Sequence, residues 1–185
     1  MKFRIFDLCM SILLLLPVVF CIGLLAIVIL VIDRHPPFYI SLRLGKHEKP
    51  FYMLKMRTMS GNAPLRSTSS EMAQYVTRTG AVIRKFSLDE LPQIINILKG
   101  DMSWVGPRPC LASESELISG RRCLSVFNVA PGLTGLAQVR GRDNLTIRQK
   151  LEYDSQYVST RSLSFNCWIM LKTLHGWTSA KGVAH

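Results

Sequence analysis

Asp89 and Glu90 stand side by side in "KFSLDELPQIINILKGDMSWVGPRP", residues 85–109 of a chain with 12 acidic residues against 23 lysines and arginines. Adjacent carboxylates among cations can do two kinds of chemistry. One, if ionised, can attack an electrophile such as phosphorus, and its neighbour can hold a divalent cation through oxygen ligands. The bland alternative is capping: Ser87 and Glu90 have capping-box spacing, and acids complement a helix dipole. Pro92 is harmless only in a first turn, so the spacing predicts a helix that begins near Asp89 or Glu90. Leu91, Ile94, Ile95 and Leu98 fall at i, i+3, i+4 and i+7 as its expected buried stripe, with Lys99-Gly100 as its stop. At such a helix start, backbone N–H groups and the dipole are expected to keep a carboxylate ionised at neutral pH.

Cations flank the pair in sequence. Arg108 lies between Pro107 and Pro109, which limits the backbone and aims a bidentate phosphate donor. "PFYMLKMRTM", residues 50–59, reads as a short strand. Alternation puts Lys55 and Arg57 on one face, about 7 Å apart, where they could grip a phosphate or simply be solvated. "APGLTGLAQVRGRDN", residues 130–144, reads as a glycine-rich loop carrying Arg140 and Arg142 close to a ligand. "SGNAPLRSTSS", residues 60–70, reads as a loop, and Glu71 to Arg84 has helical composition broken near Thr79-Gly80.

These residues need a scaffold, and the chain has 185 residues to make one. That allows one domain plus an anchor and excludes a second enzyme domain. Leu8 to Ile32 is a run of 25 residues without a charge, longer as a helix than the ~30 Å hydrocarbon layer. Pro17 lies inside it and Lys2, Arg4, Arg34 and Arg43 flank it, so positive charge favours both ends on one side. We expect a re-entrant membrane helix broken at Pro17; a proline-kinked span is the alternative. Residues 1–34 are then the anchor and 35–185 a cytoplasmic catalytic domain. Its expected class is α+β, mainly helical, with a short strand or hairpin. "SLSFNCWIMLKTLHGW", residues 162–177, has the composition of an amphipathic helix in the headgroup layer, although a core-facing helix is also open.

The formal charge of +11 points to phosphate-bearing partners: nucleotide, anionic lipid or nucleic acid. Five cysteines without a C-x-x-C pair indicate neither a disulfide framework nor a zinc site, and the four histidines are scattered. A membrane-tethered basic module for lipid or nucleic acid would explain the charge but not the clamped arginine, and no nucleic-acid signature is visible. A membrane phosphohydrolase with Asp89 as nucleophile is a further alternative.

"YMLKMRTM", "IRKFSLDELPQIINILKGDMSWVGPRP", "PGLTGLAQVRGR" and "KLEYDSQYV", in that order after an apolar helix with an internal proline, closely resemble the bacterial sugar transferase family. These are the small monotopic phosphoglycosyl transferases, which load a sugar phosphate onto polyprenol phosphate. The resemblance implies that Asp89 attacks the β-phosphorus of a UDP-sugar, releasing UMP and carrying the phosphosugar until undecaprenyl phosphate takes it. It also implies that Glu90 binds Mg²⁺, that Lys55, Arg57, Arg84 and Arg108 contact phosphate, and that Arg140 and Arg142 lie nearer the nucleotide. The implied location is the cytoplasmic face of the bacterial inner membrane, with membrane lipid as partner, no nucleic acid, and a homodimer left open. Leu16 replaces a serine frequent before the membrane proline, while Ala130, Leu136, Arg140 and Asp143 also depart from the family pattern. The last four bear on which sugar is used, not on the reaction.

Overall fold

A computed structural model describes residues 1–61, 74–141 and 144–179, with the side chains of 176–179 left undescribed. The class is α+β and mostly helical, as expected. The apolar run forms helix α1, Lys2–Val28, prolonged by a π-helical turn, Ile29–Asp33. Helical structure continues through Pro17, so the expected break is not an interruption of the helix.

One face of α1 is spent on the rest of the protein. Arg4 donates to the carbonyls of Ile97 and Leu98. Asp7, 4% exposed, accepts from Ser103 Oγ at 2.9 Å and from the Trp104 backbone N–H at 3.1 Å, and Trp104 Nε1 donates to Ser11 Oγ at 3.1 Å. Phe6, Met10, Leu14 and Val18 continue this face against the main core; Ile22, Leu25 and Ile29 pack with Met56 and Ile83. The opposite face exposes Leu13, Leu16, Phe20, Leu24, Ile27 and Val31. A helix with that exposed apolar band is long and apolar enough to cross a membrane.

Strands β1, Phe38–Leu44, and β2, Pro50–Met56, form the expected hairpin, antiparallel with Leu42 opposite Tyr52 and Ile40 opposite Leu54. The outer edge of β2 meets a side chain instead of a third strand: Asn96 Oδ1 accepts from the Leu54 N–H at 3.1 Å and its Nδ2 donates to the Tyr52 carbonyl at 2.8 Å. Helix α2, Arg78–Lys85, begins at Thr77, whose Oγ1 accepts from the Gly80 N–H at 2.9 Å. The expected break near Thr79-Gly80 is absent. Gly80 is there for contact: a Cβ on it would lie 2.1 Å from the Thr58 carbonyl oxygen, so only glycine lets α2 lie against this segment.

The acidic pair sits in a 3₁₀ turn, Leu88–Gln93, which runs into helix α3, Ile94–Lys99, ended by Gly100 at φ 97°. The helical start and the glycine stop are as expected, but the buried stripe holds only in part: Ile94 is buried and Leu91 and Leu98 are half-buried, whereas Ile95 is 41% exposed and Gln93, Asn96 and Ile97, outside the stripe, are buried. Three residues per turn in the 3₁₀ stretch shift the phase, so a 3.6-residue template finds only part of the buried face.

Within the segment read as a glycine-rich loop, residues 132–140 form a strand and a helix instead. β4, Gly132–Thr134, pairs in parallel with β3, Ser103–Val105, and α5, Leu136–Arg140, follows it. Here glycines let two backbones touch: a Cβ on Gly132 would lie 2.0 Å from Gly106 N, and one on Gly135 2.1 Å from Gly106 O. Between β3 and β4 comes α4, Ser115–Cys123; after α5 come α6, Ile147–Thr160, and α7, Leu163–Ser179. In α7, Ile169 is fully buried and Phe165 and Trp168 pack partly on the core, while Leu171 and Leu174 are exposed.

Candidate active site

Four segments deliver charged side chains to one place. The Asn96 bridge presses the start of α3 against β2, which sets Lys55 opposite the acidic pair. Lys55 Nζ lies 2.8 Å from Glu90 Oε1 and 3.8 Å from Asp89 Oδ2. The β3–β4 ladder presents the Pro-Arg-Pro segment from the other side, with the Gly132 N–H donating to the Pro107 carbonyl at 2.9 Å. Arg108 then reaches Glu90 Oε1 at 3.4 Å. Arg84, one turn beyond Gly80 on α2, donates to Thr58 Oγ1 at 2.8 Å and adds its charge to the field at Asp89.

Capping does not account for the pair. Ser87 is left-handed, φ 53°, and makes no side-chain cap hydrogen bond. A serine held there reverses the chain sharply between α2 and the 3₁₀ turn, a conformation that costs energy and is found where function or packing fixes it. Nor do backbone amides at the helix start lower the Asp89 pKa as expected. Burial pushes the Asp89 carboxyl above its ordinary 3.8, and Glu90 pushes the same way, whereas Lys55, Arg84 and Arg108 pull it back. The cations, not backbone amides, favour its charged form.

The other expected contacts diverge. Arg57 lies just past β2, half-buried, with Nε donating to the Phe38 carbonyl at 3.4 Å, so it does not share the position of Lys55. Arg140 ends α5 with its guanidinium 5.8 Å from the centre of the Trp168 ring. Arg142 and Asp143 lie outside the described residues.

Several contributors were invisible to sequence reading. Arg43, from β1, lines a cleft with Lys55, Glu90, Gln93 and Arg108. Arg121, from α4, is buried against Asp154 of α6 at 2.6 Å and also donates to the Arg108 carbonyl at 2.8 Å, so this ion pair holds the Pro-Arg-Pro backbone. Asp154 falls in one of the motif strings, yet nothing local announces its partner.

Among the described residues no cluster of three or more histidine, cysteine or carboxylate side chains could hold a metal by itself. Two adjacent carboxylates do fit a hard cation that arrives with phosphate oxygens, the usual Mg²⁺ arrangement. Glu90 would hold it in competition with Lys55, which already lies at its Oε1.

The family model described as bacterial sugar transferase matches residues 1–180. The sugar transferase EpsL of Bacillus subtilis is 37% identical over 97% of this chain and 89% of its own length. A UDP-glucose:undecaprenyl-phosphate glucose-1-phosphate transferase of Caulobacter vibrioides is 39% identical over 75% of this chain and 55% of its own. An undecaprenyl-phosphate galactose phosphotransferase of Salmonella typhimurium is 37% identical over 76% of this chain and 33% of its own, so the latter two are longer proteins. With a match across nearly its whole length, this chain belongs to the bacterial sugar transferase family.

Proposed function

We propose that this protein transfers a sugar 1-phosphate from a UDP-sugar to undecaprenyl phosphate, releasing UMP, with the phosphosugar carried on Asp89. The observation that carries the reading is the half-buried Asp89–Glu90 pair set against Lys55 and Arg108, in a chain related to enzymes named for this type of transfer. Asp89 Oδ attacks the β-phosphorus; the bond from that phosphorus to the bridging oxygen breaks, and UMP departs with the oxygen and the electron pair. An oxygen of the lipid phosphate then attacks the same phosphorus. The aspartyl–phosphorus bond breaks and the carboxylate is restored.

Lys55, Arg84 and Arg108 bind the diphosphate and offset its charge. On Arg108 a guanidinium suits two phosphate oxygens at once. A bound Mg²⁺ would supply further charge for the departing UMP. The acceptor is a lipid, and the exposed apolar face of α1 keeps the site at the bilayer surface, where both substrates can reach it. Flanking positive charge favours the cytoplasmic side of the bacterial membrane.

The direct test is mass spectrometry of the protein after exposure to UDP-sugars with acceptor withheld. A sugar phosphate on Asp89, with stoichiometric UMP, is the expected result, and Asp89→Asn should give neither. Turnover without an adduct would return Asp89 to a binding role and favour direct transfer.

A further inference from the structure

The cleft beside Glu90 has about 20 Å³ of room, enough for one water-sized group. Three cations and one carboxylate line it, Arg43, Lys55 and Arg108 against Glu90, which leaves a formal excess of two positive charges (3 − 1). Gln93 lines it too. This glutamine is 2% exposed, and its buried Nε2 has no hydrogen-bond partner among the described residues. A buried amide donor left unpaired costs the folded protein about 1–3 kcal/mol unless something else accepts from it.

Arg43 is similarly unspent. Its Nε donates to the buried Ser41 Oγ at 3.0 Å, which orients the guanidinium, and its terminal nitrogens make no hydrogen bond or ion pair among the described residues. Burial, and then the nearby charge of Arg108, hold the Arg43 guanidinium below its usual pKa. Two mutually repelling guanidiniums and an unsatisfied amide around a space of one oxygen atom are costly in the empty protein. An anion reverses each cost.

The geometry points to a phosphoryl-oxygen subsite in which Gln93 Nε2 and Arg43 donate to a non-bridging oxygen of the phosphate handled at Asp89. This rests on the phosphoglycosyl-transfer reading for the identity of that phosphate, but not for the binding. Two sources carry the same chemistry, the donor diphosphate and the lipid phosphate. A preorganised donor in a water-poor cleft also serves charge that grows on phosphoryl oxygens during transfer.

The test uses the full chain in detergent micelles, with inorganic pyrophosphate as the probe, titrated calorimetrically in the absence of nucleotide. Gln93→Met and Arg43→Met should each weaken pyrophosphate binding about 10-fold, the loss expected for one hydrogen bond to a charged group. Gln93→Met should melt at the same temperature as the wild type or higher, since it removes an unpaired buried donor. A purely structural glutamine would instead lose stability and leave the anion affinity unchanged. Wild-type pyrophosphate affinity in both variants overturns the subsite, even if an adduct on Asp89 is found. Weakened binding without any adduct keeps the subsite and removes the covalent reading. In steady-state assays, a raised KM for the UDP-sugar alone assigns the oxygen to the donor, and a raised KM for undecaprenyl phosphate alone assigns it to the acceptor; unchanged kinetic constants toward both overturn the proposal.

Discussion

At the scale of single residues, the carboxylate proposed to attack phosphorus is placed where its charge is contested. Burial and Glu90 raise the pKa of Asp89 above 3.8, while Lys55, then Arg84 and Arg108, oppose them. A nucleophilic carboxylate must be ionised, so activity is present above the Asp89 pKa and is lost as pH falls through it. The acid limb of the kcat/KM profile should therefore lie above the ordinary aspartate range. Lys55→Met removes a cation that favours the charged form, so the limb should move to higher pH. Glu90→Gln removes a like charge, so the limb should move the other way, on top of any loss of rate. Identical acid limbs in wild type and both variants would mean that a different group controls this side of the profile.

At the scale of elements, the site depends on pairs that bring distant segments together. The Arg121–Asp154 pair joins α4 to α6 with side chains 5% and 3% exposed, and from there holds the Arg108 carbonyl. Asp154→Ala leaves a buried guanidinium without its counter-ion, which should cost about 3–5 kcal/mol of stability. Thermal unfolding should show it, and kcat should fall with it because Arg108 loses its backbone support. An unchanged melting temperature would count against this role. Such pairs also explain what could be read in advance. The acidic pair, the Pro-Arg-Pro clamp, Lys55 and the anchor were legible because their meaning is local: residue type, a neighbour, or a run of apolar residues. Asn96 bonds to Tyr52 across 44 positions and Arg121 to Asp154 across 33, and no window of sequence contains both partners. Arg43 read only as charge beside the membrane, since its place at the cleft exists only once β1 is paired with β2. The strand and helix in residues 132–140 were missed for a related reason, because β4 needs β3 and close approach of the two depends on glycines on both sides, Gly106 and Gly132.

At the scale of the whole molecule, the arrangement of α1 bears on how the protein sits in a bilayer. A helix of 27 residues is about 40 Å long, enough to cross the hydrocarbon layer. Yet its first turns are tied to the domain through Arg4, Asp7 and Ser11, and its far end is packed on Met56 and Ile83, with Thr77 Oγ1 donating to Asp33 at 2.9 Å. A crossing would carry one of these ends to the opposite side, giving up either two hydrogen bonds to the α3 carbonyls and a buried carboxylate network or a small apolar core. If both ends keep these contacts, the helix should lie along the domain and offer lipid only its outer face, an embedding in one leaflet. Site-directed labelling can decide this, in a background where the exposed Cys9, Cys21, Cys123 and Cys167 are replaced and the buried Cys110 is kept. A membrane-impermeant maleimide should react with Lys2→Cys and with Lys46→Cys, at the tip of the β1–β2 hairpin, from the same side of the membrane. Reaction of the first only from the side opposite to the second would mean that α1 spans, and that its contacts with the domain are surrendered in the bilayer.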